Sequence, residues 1–273
     1  MQRRVSSLWL LLLAFALSPC ATLAQQQAPA SRPAVAGKAV VRLSNGKPDM
    51  SGNWALAANL NDISADIVSI GGNKPSASEK KIPYTPVYAK LRSETGKRMY
   101  EEPELHCYMP GVPSHMWRQA YSGAGLVVQH NDTHIVFTHE FQGARRIVSL
   151  TGNQTLPDQV KLFMGHGTGK WEGDTLVITT TNHNAITWLD LAGNRHSDKL
   201  VVTERFTPID NDNYRYQASF EDPIAYTQPW AIESTMKRGS NPDAEILEFA
   251  CVEGNTDDEH YTEEVGGKST VEK

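Results

Sequence analysis

The sequence predicts an all-β fold, an antiparallel barrel with a β-sandwich as the alternative, a short helix and long loops preceding the main sheet. Three observations point there. From Leu126 onward, short runs rich in β-branched and aromatic residues follow one another with little helical periodicity. Pairs such as Asn131-Asp132 and Gly173-Asp174, and the run Asp210-Asn211-Asp212-Asn213, separate those runs as hairpin turns. Within a run, one face stays largely apolar, and a closed sheet leaves no edge exposed to other chains.

Before the sheet, residues 1–24 read as a secretory signal. Arg3 and Arg4 supply the positive region, Leu8 to Leu17 the apolar stretch, and Thr22-Leu23-Ala24 the small-residue cleavage site. The apolar stretch is about ten residues, too short to span a bilayer. Pro19 suits a lipoprotein cleavage box poorly, so no lipid anchor is expected at Cys20. Cleavage removes two arginines and no acids, which takes the net charge from -5 to -7. A mildly acidic exported protein is a poor partner for nucleic acid. The expected location is the periplasm or the medium.

Cleavage also leaves Cys107 and Cys251 as the remaining cysteines. Two cysteines in an oxidising compartment are expected to pair, with two buried free thiols as the alternative. Residues 25–47, rich in Gln, Ala and Pro, read as a flexible linker. A single domain is expected over 48–253, and an acidic flexible tail over 254–273.

Within the domain, Gly52-Asn53-Trp54 opens the first strand, and Val87 to Glu101 reads as a helix. His106 to Pro113 is an irregular loop forced by prolines and a glycine. Strands are expected over Leu126–His130, Thr133–Phe141, Arg145–Leu150, Thr175–Thr181, Leu200–Phe206 and Tyr214–Glu221, with Ala244–Glu253 closing the sheet.

Alternation along each strand then selects candidate site residues. Glu204 shares a face with Leu200, Val202 and Phe206, and His139 with Ile135, Phe137 and Phe141. A charge or an imidazole on an apolar face is costly unless paired, and when it faces a cavity it is a functional candidate. The bland alternative is a salt bridge from Glu204 to Arg145 or Arg146 that only holds the barrel closed. Val177, Thr179, Thr181 and His183 share one face of their strand and Leu176, Ile178 and Thr180 the other, and His183 falls where the strand gives out, at the barrel mouth. The mouth loop beyond it carries Trp188, Asp190 and His196.

Together these residues suit cofactor-independent acid–base chemistry of lyase, hydratase or isomerase type on a small hydrophobic or aromatic molecule. His139 or His183 is expected as the base, and Glu204 or Asp190 as the acid or orienting group. Arg146 is expected to stabilise negative charge, while Trp188, His196, Tyr216 and Arg145 contact the substrate. A non-catalytic binding protein on the same barrel is the alternative. No metal or other cofactor is expected. The histidines lack ligand spacing, and the glycines of Gly165-His166-Gly167-Thr168-Gly169 precede a strand, where a phosphate-cradling loop would precede a helix. Ser114, Ser122 and Ser197 lack a nucleophile-elbow context.

Two resemblances accompany these residues. Gly52-Asn53-Trp54 resembles the opening of lipocalin-like barrels, where the indole plugs one end. The run Gly169-Lys170-Trp171-Glu172-Gly173-Asp174-Thr175-Leu176-Val177, with Glu204-Arg205-Phe206, Asp222-Pro223 and Tyr226 to Trp230, resembles an uncharacterised family of exported bacterial proteins. The likeness runs from about Pro48 to Glu253. It implies export and one domain, and it brings no activity with it.

Overall fold

The computed structural model describes residues 37–56, 62–68, 81–117, 126–152, 155–241, 243–256 and 260. The expected signal segment, the linker up to Ala36 and most of the acidic tail lie outside the described residues. Ten strands are present among them: β1 Gly52–Leu56, β2 Ile67–Val68, β3 Leu126–His130, β4 His134–His139, β5 Arg145–Ser149, β6 His166–Glu172, β7 Thr175–Thr181, β8 Val201–Pro208, β9 Asn213–Glu221 and β10 Trp230–Arg238. Nine of them close into a barrel in the order β1-β3-β4-β5-β6-β7-β8-β9-β10, with β10 returning to β1, and β2 adds to the start of β10.

The hairpins form where turn chemistry allows. Gly173 takes φ +61° in the two-residue loop joining β6 to β7, as a hairpin loop with glycine first requires. Asn131 Oδ1 accepts from the backbone N–H of Thr133 and His134 and fixes the β3–β4 turn. One junction is not antiparallel. β6 lies parallel to β5, and the two meet at a single register pair, Ser149 with Thr168.

Three other expectations are corrected. The helix α1 spans Pro86–Ser93 and stops well short of Glu101, because Gly96 and the Thr95 hydroxyl, which donates to the Arg92 carbonyl, turn the chain into short 3-10 turns. The closing strand is β10, and residues 244–253 form no strand. β10 pairs with β9 on one side and with β1 and β2 on the other, and so holds the place expected for residues 244–253. Nor is the whole of 25–47 a loose lead. Arg42 binds Asp174 through two nitrogens at 2.8 and 2.7 Å, and the Asn211 N–H donates to the Lys38 carbonyl at 3.0 Å.

The barrel's two ends differ. At the end carrying the short turns after β3, β6 and β8, Trp54 is buried, its Nε1–H donating to the Met50 carbonyl at 2.8 Å. The Arg238 guanidinium covers the indole at 4.2 Å and Tyr214 meets it edge-on. At the opposite end, which we call the mouth, residues 182–200 and 222–229 and the buried segment Gly111–Met116 fold over the opening.

Cys107 and Cys251 form the expected disulfide, 144 positions apart in sequence. Cys251 lies in the coil after β10, and Phe249 packs on Phe141 at 4.9 Å to seat that coil against the barrel. Closing so long a loop is worth about 4 to 5 kcal/mol in the chain-entropy model. Reduction is therefore expected to lower the unfolding free energy by several kcal/mol. Urea titrations with and without reductant measure this, and superimposable curves would refute it.

Candidate functional site in the barrel interior

The glycines of β6 decide what the barrel can hold. Gly167 and Gly169 point inward and present no side chain, which leaves space for a long one from β5. Arg146 fills it. A Cβ on Gly167 would stand 3.4 Å from Arg146 Nη2. The guanidinium extends across the interior to Glu204 on β8, where Nη2 approaches Oε2 at 2.5 Å. That contact is an ion pair by distance and lacks hydrogen-bond alignment at Oε2. The aligned bond from Nη2 goes to Thr180 Oγ1 on β7 at 2.6 Å. Tyr216 on β9 donates its hydroxyl to Glu204 Oε1 at 3.0 Å. Four strands thus contribute to one interior network, and both of its ions are almost wholly buried, at 3 % and 0 % exposure.

Histidines surround this network on the mouth side. His139, at the end of β4, faces inward as alternation predicts, and Ala144 and Leu126 pack its strand. Its ring meets that of His115 edge-on, centroids 4.7 Å apart. His115 stands on the 3-10 turn Ser114–Trp117 and is wholly buried. Its Nδ1 lies 3.2 Å from the Gly111 carbonyl. His183 also turns inward, although alternation pairs it with Val177, Thr179 and Thr181 and not with Leu176, Ile178 and Thr180, which face the interior. Asn182 takes φ +57° and breaks the two-residue period just before it. The Asn182 amide secures that bend by donating to the carbonyls of Pro157 and Val160. His183 Nε2 then sits 3.3 Å from the Thr180 carbonyl.

Burial holds these imidazoles neutral. Desolvation is the largest effect on each ring. It takes His139 and His183 down to about 3 and His115 well below the usual histidine range. The positive charge of Arg146 pushes all three in the same direction. Tyr216 is driven well above its ordinary value, first by burial and then by Glu204, so it keeps its proton.

Several predicted roles do not survive this geometry. Glu204 accepts from the Tyr216 hydroxyl at Oε1 and meets the Arg146 guanidinium at Oε2. Tyr216 points inward, but its hydroxyl is taken by Glu204. Arg145 lies on the outer face, exposed, one residue out of phase with Arg146. Asp190 is a clamp: it accepts from the Ile63 N–H at 2.8 Å, the Asn194 N–H at 3.1 Å and the Asn194 side-chain amide at 2.6 Å. Desolvation raises its carboxyl, while the three donors hold it between the mouth loop and Ile63. Trp188 is buried beneath the Arg195 guanidinium at 4.5 Å and anchors the mouth loop. His196 is engaged at both ring nitrogens, by Thr187 Oγ1 at 2.9 Å and the Ser197 carbonyl at 2.8 Å.

Among the described residues of this region, no hydrogen-bond partner reaches either nitrogen of His139, Nε2 of His115, Nδ1 of His183, Nε and Nη1 of Arg146, Oε2 of Glu204, Nε1 of Trp188 or Oγ of Ser114, all on residues at most 3 % exposed, and buried polar atoms elsewhere, Tyr214 Oη and Trp230 Nε1 among them, also lack one. Sequence reasoning missed His115 and Ser114. They follow Gly111-Val112-Pro113 in a segment without periodicity, and nothing local marks it as folding into the barrel. Thr180 could have been found, since alternation already placed it beside Leu176 and Ile178.

Among the described residues, no group of three or more His, Cys, Asp or Glu is placed to hold a metal ion, and no helix is long and apolar enough to cross a membrane. A groove of about 630 Å³ beside the disulfide is lined by Met99, Leu105, Phe141, Leu191 and Phe249, and it collects none of the predicted catalytic residues. Comparison with known proteins yields no match among family models, curated proteins or solved structures.

Proposed function

We propose that the protein is a cofactor-independent acid–base enzyme acting on a small molecule bound in the mouth half of the barrel. His139 is the base, Arg146 receives the developing negative charge, and Glu204 with Tyr216 orients Arg146. The observation carrying this reading is the set of unengaged nitrogens on His139 and Arg146, two side chains that are almost fully buried. Buried polar groups are normally satisfied, so unpaired ones clustered in one place suit a ligand that completes them.

The chemistry follows from the charges. A neutral imidazole has a lone pair available at pH 7, although a ring titrating at about 3 is a weak base. A substrate with its carbonyl oxygen on Arg146 changes that balance. As His139 takes a proton from the carbon next to the carbonyl, the electron pair moves to the oxygen and forms an enolate. That anion beside the ring stabilises the imidazolium. Where the substrate is a β,γ-unsaturated ketone the anion is a dienolate, and returning the proton to its γ-carbon shifts the double bond into conjugation, reforms the carbonyl and completes an isomerisation. Departure of a β-hydroxyl, protonated by the imidazolium, completes a dehydration. Phe137 and Phe206, stacked at 5.7 Å, supply apolar wall for the carbon skeleton.

Export accompanies this reading, resting on the signal-like residues 1–24, the resemblance to exported bacterial proteins and the disulfide. An amino terminus near Gln25 on the mature protein would check it. For the activity, purified protein is screened against enolisable and β-hydroxy carbonyl compounds. His139→Ala is expected to reduce turnover by about 10² to 10⁴-fold while circular dichroism stays unchanged. A second reading, a non-catalytic binding protein, is favoured by the engagement of both Glu204 oxygens, which removes the second titrating partner. Ligand binding with no turnover above background in any member of the screen would establish it instead.

A further inference from the structure

The unengaged nitrogens have a polarity that restricts what can meet them. A carbonyl oxygen only accepts, so the ring nitrogen facing it carries the proton and the other ring nitrogen carries a bare lone pair. His115 Nδ1 faces the Gly111 carbonyl, which leaves its Nε2 as an acceptor. His183 Nε2 faces the Thr180 carbonyl, which leaves its Nδ1 as an acceptor. His139, bound at neither nitrogen among the described residues, offers one donor and one acceptor. Arg146 offers only donors, at Nε and Nη1. The interior therefore asks for hydrogen-bond donors at two or three points and for an acceptor at Arg146.

Its net charge restricts the occupant further. Arg146 and Glu204 cancel at 2.5 Å, and the three rings are neutral. An anion would enter a wholly buried site without an uncompensated cation to receive it, while its oxygens would face the lone pairs of His115 and His183.

Taking the barrel interior as the binding site, as the reading above does, we infer that its ligand is an uncharged hydroxylated carbonyl compound, whose hydroxyl donates to His115 or His183 and whose carbonyl accepts from Arg146. Carboxylates and phosphate esters are excluded, and so are ethers of the same skeleton that lack the hydroxyl proton.

The test is a binding experiment on the full mature protein. A series of hydroxyketones of three to ten carbons is titrated calorimetrically at pH 7.5, beside the O-methyl ether of each and the hydroxy acid of the same skeleton. At least one hydroxyketone is expected to bind, its ether about tenfold or more weakly, and its acid more weakly than the ketone. His183→Phe and His115→Phe each remove one acceptor. Whichever stays folded should bring the ratio between ketone and ether toward one, and if neither folds, the wild-type ranking decides alone. Acids that bind as well as the ketones, ethers that bind as well as alcohols, or a series in which nothing binds would each overturn the inference. Ketone binding without turnover would remove the enzymatic reading and leave this one standing. Turnover of a carboxylate substrate would do the reverse.

Discussion

Lowering the pH from 7 to about 4 is expected to unfold the protein cooperatively. Four histidines, His115, His139, His183 and His196, are buried, and burial lowers each of them in the folded state. In the unfolded chain each titrates near 6.5. The folded state therefore binds fewer protons than the unfolded one throughout the window below that value. Stability is fully present above about pH 6.5 and is lost as the pH falls toward the folded-state values, which for His139 and His183 lie at about 3. The three rings that fall well below that value, His115, His139 and His183, each remove about 1.4 kcal/mol per pH unit, and together they remove roughly 4 per unit. A domain of typical stability, roughly 5 to 15 kcal/mol, exhausts its margin within about one to four units. Near-ultraviolet circular dichroism followed against pH should show loss of tertiary signal between about 6 and 4. A variant carrying His139→Asn and His183→Asn should show a visibly shallower dependence. A native signal persisting to pH 3.5 would mean that the rings take up protons while remaining in place.

The acid sensitivity could be anticipated only in part, because the chain reveals its interior unevenly. His139 and Glu204 were legible as interior groups, since each interrupts an apolar face at a strand period of two. The hairpin turns were legible because glycine, asparagine and aspartate favour them locally. What escaped depended on partners distant in sequence. Asp190 looks like a catalytic carboxylate until the Ile63 N–H, 127 residues away, is found bound to it. His183 follows a strand, yet one left-handed residue at Asn182 reverses the direction in which it points. His115 sits in a loop shaped by prolines, and no periodic signal announces that this loop enters the barrel.

Strand β10 was missed for a related reason. It serves β9, β1 and β2 at different points along its length, so its residues answer to several neighbours and its alternation is blurred by Ala231 and Ser234. Residues 244–253 are rich in apolar residues and read locally as a strand, yet β10 already holds the place between β9 and β1. Local pattern reports what a segment would do if offered an edge. Topology decides whether one exists. The polar interior obeys the same logic, for Arg146 on β5 meets Glu204 on β8 across two intervening strands, its guanidinium beside Gly167 of β6.

Separating Arg146 from Glu204 is expected to cause the other large effect. Removing one member of a buried ion pair leaves an uncompensated charge, which typically costs about 3 to 5 kcal/mol. Glu204→Ala should therefore destabilise the barrel by that order in urea titrations, and Arg146→Ala by a similar amount. Replacing both with apolar residues of similar bulk, Arg146→Met with Glu204→Leu, removes both charges and their desolvation penalty. That double variant is expected to recover most of the loss. The comparison separates two reasons for the pair to exist. If it serves only as a lock across the sheet, the double variant should be no more stable than either single one. If the pair is there to present Nε and Nη1 of Arg146 to a ligand, the double variant should fold well and bind no hydroxyketone, because stability can be regained without the donors and binding cannot.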